Sequence, residues 1–190
     1  MKTTPRNTSH SFEVVRAAKR WATLVWSVLM FLGCATGPTV APNLRVPAEQ
    51  KPFLHAFAKG VQIYSCEASS TEPAKFSWKL KAPEAMLFTE CGRVIGSHYA
   101  GPTWECDRDG SKVVGTVLQR SAAPGSNAIP WLLLQAKATA GAGEFEHVSY
   151  VQRVNTSGGL APTTGADAAQ RGQEVRVPYT AEYYFYRAKQ

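Results

Sequence analysis

The chain has 190 residues, a formal net charge of +7 and 44% hydrophobic residues. This length suits one domain with a leader, and this composition argues against a disordered chain. Residues 1–33 hold five basic residues and one acidic residue, so 16 basic and 13 acidic residues remain from the totals of 21 and 14. Because these remaining basic residues do not cluster, the sequence argues against nucleic acid as a partner.

The first segment has the pattern of an export signal. Three basic residues between positions 16 and 20 precede an apolar run over residues 21–32. Gly33 and Cys34 follow this run directly. A permanent membrane span needs about 20 apolar residues, so this run is short for an anchor helix. The Gly33-Cys34 junction resembles the lipobox of bacterial lipoproteins. It predicts a signal peptide over residues 1–33 and lipidation of Cys34.

Two other interpretations of the leader stay open. It could be an ordinary secretory peptide that is cleaved nearby, or an uncleaved anchor helix. All three interpretations place residues 44–190 outside the cytoplasm. We therefore expect a cell-envelope protein held to the membrane by a lipid anchor, with secretion as the alternative.

The segment after the leader divides into a tether and the start of a domain. Residues 34–47 are rich in Gly, Pro, Thr and Ala and predict a flexible tether. Residues 48–58 predict a short helix, because their large apolar residues fall on one side and a glycine follows. A single β-rich domain is expected over residues 48–190.

From residue 61 onward, short runs of β-forming residues alternate with turn signals such as Gly101-Pro102 and Asp109-Gly110. About eight to ten such strands at this spacing are typical of an all-β, antiparallel sandwich or barrel. Residues 157–173 have almost no large apolar groups and predict an exposed loop. The predicted strands cover residues 61–66, 76–80, 93–99, 103–106, 112–118, 131–138, 147–154 and 180–186.

Seven sequence motifs occur in a fixed order across the predicted domain. They are GVQIYSC (60–66), W-x-L-x-APEA-x-LF (78–88), HYAGPTW (98–104), DGSKVVG (109–115), IPWLLL (129–134), YVQRVNTSGG-x-AP (150–162) and VPYTAEYYFY (177–186). In these motifs, over roughly residues 55–187, the chain resembles domain-of-unknown-function family 3455. The resemblance implies a secreted or envelope location and a single domain, and it implies no activity.

Lipidation of Cys34 would leave three cysteines, an odd number for an oxidising compartment. Cys91 and Cys106 bracket two predicted strands and a turn, so a disulfide between them is expected. Cys66 would then be a free, buried thiol. A bridge from Cys66 to either of the other two stays open.

The densest group of functional residue types surrounds the Gly101-Pro102 turn. This turn would bring His98 and Glu105 onto neighbouring strand ends, where a carboxylate can prepare an imidazole for acid–base chemistry. Arg153 lies in an apolar strand, where a buried guanidinium needs a partner such as Glu105. A structural interpretation, in which His98 bonds the backbone and Trp104 fills the core, is favoured over catalysis. The ligand-binding candidates are His98, Tyr99, Trp104, Glu105 and Arg153, and all of them except Tyr99 are expected to line one surface.

No motif in the sequence names a reaction. It has no G-x-S-x-G motif, no zinc-binding spacing and no complete glycine-rich nucleotide loop, so no metal or cofactor is expected. The favoured function is a non-catalytic binding or structural module, and the alternative is a hydrolase that uses His98 and Glu105. Aromatic residues on both faces of residues 180–186 suggest a surface that could stack on a glycan or another small molecule.

Overall fold

The computed structural model describes Met1 and residues 36–125 and 127–190. The predicted signal peptide, apart from Met1, and the predicted lipidation of Cys34 therefore lie outside the described residues. In the described part of the chain, no helix combines the length and hydrophobicity needed to span a bilayer.

The domain is a closed barrel of eight antiparallel strands. Each strand pairs with its neighbours in the chain, and the last strand pairs with the first. This confirms the predicted all-β domain and selects the barrel over the sandwich. The strands are β1 Gln50–Ala68, β2 Phe76–Phe88, β3 Val94–Tyr99, β4 Thr103–Cys106, β5 Lys112–Ser121, β6 Trp131–Ala140, β7 Tyr150–Gly158 and β8 Glu174–Ala188.

The predicted helix over residues 48–58 is wrong, because β1 begins at Gln50 and pairs with β8 over this stretch. Ala56 and Ala58 are buried inside the barrel, and Phe57 lies between them on the outer face. Both faces of this part of β1 therefore carry apolar side chains. A strand is recognised from the alternation of apolar and polar residues, and this alternation is missing when both faces are apolar. The apolar residues of this segment therefore match the apolar side of a helix equally well.

One end of the barrel interior is filled by aromatic rings that lie opposite small residues of β1. Ala56 pairs with Tyr183 across the β1–β8 ladder. Phe185 packs against Trp104 and Phe145, with ring centroids 6.0 and 4.8 Å away. Small barrels fill their interiors by such an alternation of small and large side chains. Phe145 comes from the loop between β6 and β7 and closes this end.

The Asp109 carboxylate ties together the loops at this closed end. It accepts hydrogen bonds from the hydroxyl and backbone N–H of Ser111 at 2.6 and 3.0 Å, and from the Glu144 N–H at 3.0 Å. These bonds, led by the Ser111 hydroxyl, hold the pKa of Asp109 well below its usual range. The Ser111 hydroxyl in turn accepts the Phe145 N–H at 3.0 Å. The predicted Asp-Gly turn therefore helps to hold Phe145 in the barrel.

Residues before β1 pack on the outside of the barrel. Pro42–Leu44 form a 3-10 turn, and Leu44 is fully buried. Gln152 donates to the Leu44 carbonyl at 2.6 Å and accepts a hydrogen bond from the Tyr186 hydroxyl. The predicted flexible tether covers residues 34–47, and its later part, at Pro42–Leu44, is thus attached to the domain.

The predicted Cys91–Cys106 disulfide is absent, because Cys66, Cys91 and Cys106 are all free thiols. Cys106 is buried and pairs across the β3–β4 ladder with Gly96. Cys91 is exposed in the turn that precedes β3. The hairpin register therefore places a glycine, and not Cys91, opposite Cys106. Cys66 is a free, buried thiol, as predicted.

Candidate ligand-binding lumen

The end of the barrel opposite Phe145 contains a cavity of about 470 Å³, which we call the lumen. In an up-and-down barrel, alternate connections lie at the same end. The β3–β4 turn, the β5–β6 loop and the β7–β8 loop accordingly surround this opening. The volume lies within the range of small-molecule sites, about 300–1,000 Å³. The apolar part of the wall includes Val117, Ile129, Leu132, Leu134 and Leu160.

Three of the five predicted site residues line the lumen: His98, Trp104 and Arg153. His98 pairs with Trp104 across the β3–β4 hairpin, and their rings stack at 4.5 Å. Arg153 pairs with Tyr183 across the β7–β8 ladder, and the Tyr183 ring meets the His98 ring edge-on at 5.1 Å. Strands that are distant in sequence thus bring these groups into one enclosed space.

Tyr99 and Glu105 do not join them. Tyr99 donates a hydrogen bond to Glu105 at 2.7 Å, and Lys112 pairs with the same carboxylate at 3.0 Å. These two contacts, the Tyr99 bond first, lower the pKa of Glu105. Because side chains alternate along a strand, a residue next to the inward-facing Trp104 must face outward. The expected Glu105–Arg153 pair and the expected His98–Glu105 pair are therefore both wrong.

His98 is a neutral imidazole in the folded protein. Its Nδ1 donates to the Thr103 carbonyl at 2.8 Å, so its Nε2 is left as a hydrogen-bond acceptor. Burial lowers the pKa of His98 to about 3; the bond to Thr103 opposes this effect, and the charge of Arg153 adds to it. Backbone bonding of His98 and burial of Trp104 agree with the structural interpretation of these two residues.

Arg153 places a positive charge inside the barrel, with only 9% of the residue exposed. Its Nε and Nη2 both donate to the Pro130 carbonyl, at 3.2 and 2.9 Å. Burial raises the pKa of three nearby tyrosines, and the charge of Arg153 opposes that rise in each of them. These tyrosines are Tyr64, Tyr179 and Tyr183.

Several buried polar atoms around the lumen make no hydrogen bond with the described residues. They are Gln62 Nε2, Trp104 Nε1 and the hydroxyls of Tyr179 and Tyr183. Sequence reasoning missed Gln62 and Tyr183 as site residues. Gln62 shares its strand face with Ala58 and Gly60, and a polar residue continuing a run of small inward residues was the available signal.

The opening of the lumen, which we call the mouth, combines apolar and cationic side chains. Leu80 and Leu160 are exposed and line it, together with Lys81 and Arg120. The loop after β7 is fastened beside the mouth, because Tyr64 donates to the Gly159 carbonyl at 2.5 Å and Trp78 to the Thr164 carbonyl at 3.0 Å. The predicted loop at residues 157–173 is thus held in place at both of these points.

A second polar cluster, also missed from the sequence, lies outside the barrel. The Glu182 carboxylate accepts hydrogen bonds from His55 at 2.8 Å and Asn155 at 3.0 Å. His55 also stacks on Tyr184 at 4.1 Å. Asn155 has φ +48 at the bulge in β7, a conformation that asparagine tolerates better than most residues. The cluster therefore fixes this bulge.

Neither face of β8 leaves the open aromatic surface that the glycan hypothesis needed. Tyr183 and Phe185 are buried inside the barrel. On the outer face, Tyr186 is buried beneath the N-terminal segment, and Tyr184 is half-buried against His55. A stacking ligand on this strand would have to enter the lumen.

Within the described residues, no group of three or more His, Cys, Asp or Glu side chains is arranged to hold a metal ion. A family model described as "Protein of unknown function (DUF3455)" matches residues 89–187, slightly more than half of the chain. No curated protein and no solved structure matches the chain. The matched region carries His98, Trp104, Arg153 and Tyr183, and Gln62 precedes it.

Proposed function

The chain belongs to domain-of-unknown-function family 3455, and we propose that its barrel is a non-catalytic module that binds a small apolar molecule in the lumen. The lumen itself carries this proposal. It is a cavity of about 470 Å³ with a largely apolar wall, closed at one end and open at the other. Eight-stranded barrels either fill their interior with side chains or hold one small ligand.

The buried polar atoms of the lumen support a binding role. Each buried donor without a partner costs about 1–3 kcal/mol, so a packed core normally avoids such atoms. Here, within the described part of the chain, Gln62, Trp104 and Tyr183 each keep one such donor at the same cavity. A few converging polar groups in an apolar cavity are the usual composition of a small-molecule site.

The hydrolase alternative is less well supported. It required His98 and Glu105 to work as a pair, and they lie on opposite sides of the barrel wall. The His98 imidazole donates to a backbone carbonyl, and Glu105 is engaged by Tyr99 and Lys112. These contacts favour a non-catalytic binding module over a hydrolase that uses His98 and Glu105.

Purified protein should bind the neutral fluorescent probe N-phenyl-1-naphthylamine in the lumen. Val117→Trp places a large ring into the cavity and should weaken binding about tenfold or more, as expected when a ligand loses its space. Thr116→Trp is the matched control, because Thr116 is the exposed neighbour on the same strand. Fluorescence titrations of the three proteins, each shown to be folded by thermal melting, make the comparison. Equal affinities for the two variants, or no binding by folded wild type, would contradict the proposal.

The location of the module is a separate proposal. The basic n-region, the apolar run and Gly33-Cys34 support export and attachment to the envelope membrane through a lipid on Cys34. The barrel would then meet its ligand outside the cytoplasm. Secretion without a lipid is the alternative.

Cells that express the full chain should incorporate radiolabelled palmitate into the wild-type protein. Cys34→Ala should remove the label, because the thiol is the predicted attachment point, and Cys91→Ala should keep it. Gel autoradiography of the three proteins provides the measurement. Unlabelled wild type in the soluble fraction would show that the leader is an ordinary secretory peptide.

A further inference from the structure

We propose that the ligand of the lumen is an amphipathic monocarboxylate, with its carboxylate on Arg153 and its apolar body against the aliphatic wall. This rests on the proposed function and adds the chemical class of the ligand. A simple medium-chain fatty acid has this chemistry.

Arg153 carries a buried positive charge in the lumen. Among the described residues, no carboxylate forms an ion pair with it; the described arginines that are so paired are Arg108 and Arg176. A buried charge is stable only where partners replace the water that it has lost. The Pro130 carbonyl supplies part of this, but a neutral carbonyl leaves the positive charge uncompensated. An anion in the lumen would compensate it.

The Arg153 guanidinium keeps N–H donors beyond those that bind the Pro130 carbonyl. A guanidinium has five N–H groups, and Arg153 uses two of them on Pro130. The planar group can therefore still present two donors side by side, which matches the two oxygens of a carboxylate. Gln62, Trp104 and Tyr183 each add a further donor that makes no hydrogen bond with the described residues, in the same cavity. A carboxylate can accept about four hydrogen bonds, so it suits a donor-rich site.

The charges inside the lumen favour a monocarboxylate over a phosphate. Arg153 is the one cation buried in the lumen among the described residues, because Lys81 and Arg120 lie exposed at the mouth. A dianionic phosphate would leave one negative charge without a buried partner. His98 is neutral and its free Nε2 is an acceptor, so it does not supply the missing charge. The aliphatic wall formed by Val117, Leu132 and Leu134 suits an alkyl chain.

The test uses protein purified from cells that express the full chain, at pH 7.5. Displacement of N-phenyl-1-naphthylamine is measured with decanoate and with 1-decanol, which share a chain length and differ in the anionic group. Wild type should prefer decanoate by about tenfold or more, the gain expected from charge-assisted hydrogen bonds. Arg153→Met should bind the probe and lose the preference. Arg153→Lys should keep a reduced preference, because the charge stays while the planar pair of donors is lost.

Arg176→Met is the control, because Arg176 pairs with Glu84 on the exposed surface at 2.7 Å and does not line the lumen. It should keep the full preference. Probe binding without any decanoate preference in wild type overturns the carboxylate assignment and leaves the proposed function standing. Loss of the preference in Arg120→Met, with its retention in Arg153→Met, places the carboxylate at the mouth and also overturns the assignment. Folded wild type that binds neither probe nor decanoate refutes the proposed function itself.

Discussion

Gly60→Ala is expected to destabilise the barrel by about 3 kcal/mol or more, which is the upper range for overpacking a core. A Cβ at residue 60 would lie 2.1 Å from the Glu84 carbonyl oxygen and 2.4 Å from the Ala85 Cα. Both are backbone atoms of β2, so no side-chain rotation relieves the clash. Strands β1 and β2 would have to separate at this point of close approach. Urea unfolding at pH 7.5 measures the effect.

Gly92→Ala is the control for this substitution. Gly92 has φ +80, and a Cβ there would have no atom within 4 Å. The expected cost is only that of a left-handed backbone in an L-residue, about 1–2 kcal/mol. Strand propensity alone would make Gly60→Ala the more stable of the two variants, because Gly60 lies inside a strand and a glycine there weakens the strand. A Gly60→Ala protein as stable as Gly92→Ala would therefore contradict the close approach of β1 and β2.

The second large effect is a loss of stability in mild acid caused by His98. This residue is 2% exposed, and burial lowers its pKa to about 3 from an ordinary value near 6.5. Below about pH 6.5 the unfolded chain binds a proton here and the folded chain does not. The contribution of His98 to the free energy of unfolding is thus fully present above pH 6.5. It falls by about 1.4 kcal/mol per pH unit below pH 6.5, and the fall ends near the pKa of His98 in the folded protein. Between pH 7.5 and 4.5 the loss should be about 2–3 kcal/mol.

Urea unfolding of wild type and His98→Asn at these two pH values isolates this contribution. The asparagine amide can donate to the Thr103 carbonyl as Nδ1 does, and it does not titrate. His98→Asn should lose less stability than wild type between pH 7.5 and 4.5, whatever its stability at neutral pH. His147→Asn is the control, because the His147 side chain is 72% exposed. An unchanged pH dependence in His98→Asn would show that His98 is not the group responsible.

Local patterns were sufficient to predict most of the strands. The predicted strand at residues 103–106 coincides with β4, and the Gly101-Pro102 and Asp109-Gly110 turns lie where they were expected. Alternation and turn chemistry depend on residues close in sequence, so a single chain displays them directly. Residues 48–58 are the exception, because apolar side chains on both faces of β1 hide the alternation.

The composition of the lumen was only partly predictable. The Gly101-Pro102 hairpin brought His98 and Trp104 together, and register then placed Glu105 on the other face. The partner of Arg153 could not be found in this way. The Pro130 carbonyl reaches it because β6 and β7 are neighbours in the barrel, a contact between residues 23 positions apart.

The sequence by itself therefore determined that the domain is all-β and where hairpins such as those at Gly101-Pro102 and Asp109-Gly110 turn. Tertiary structure alone decided that β8 closes onto β1, pairing residues such as Ala56 and Tyr183 from opposite ends of the domain. Closure defines which face of each strand is inside. Alternation separates the two faces of a strand but does not assign either face to the interior. The cavity arises from that assignment. So do its buried donors without a hydrogen bond and the Arg153 charge without a carboxylate partner, both as seen over the described residues.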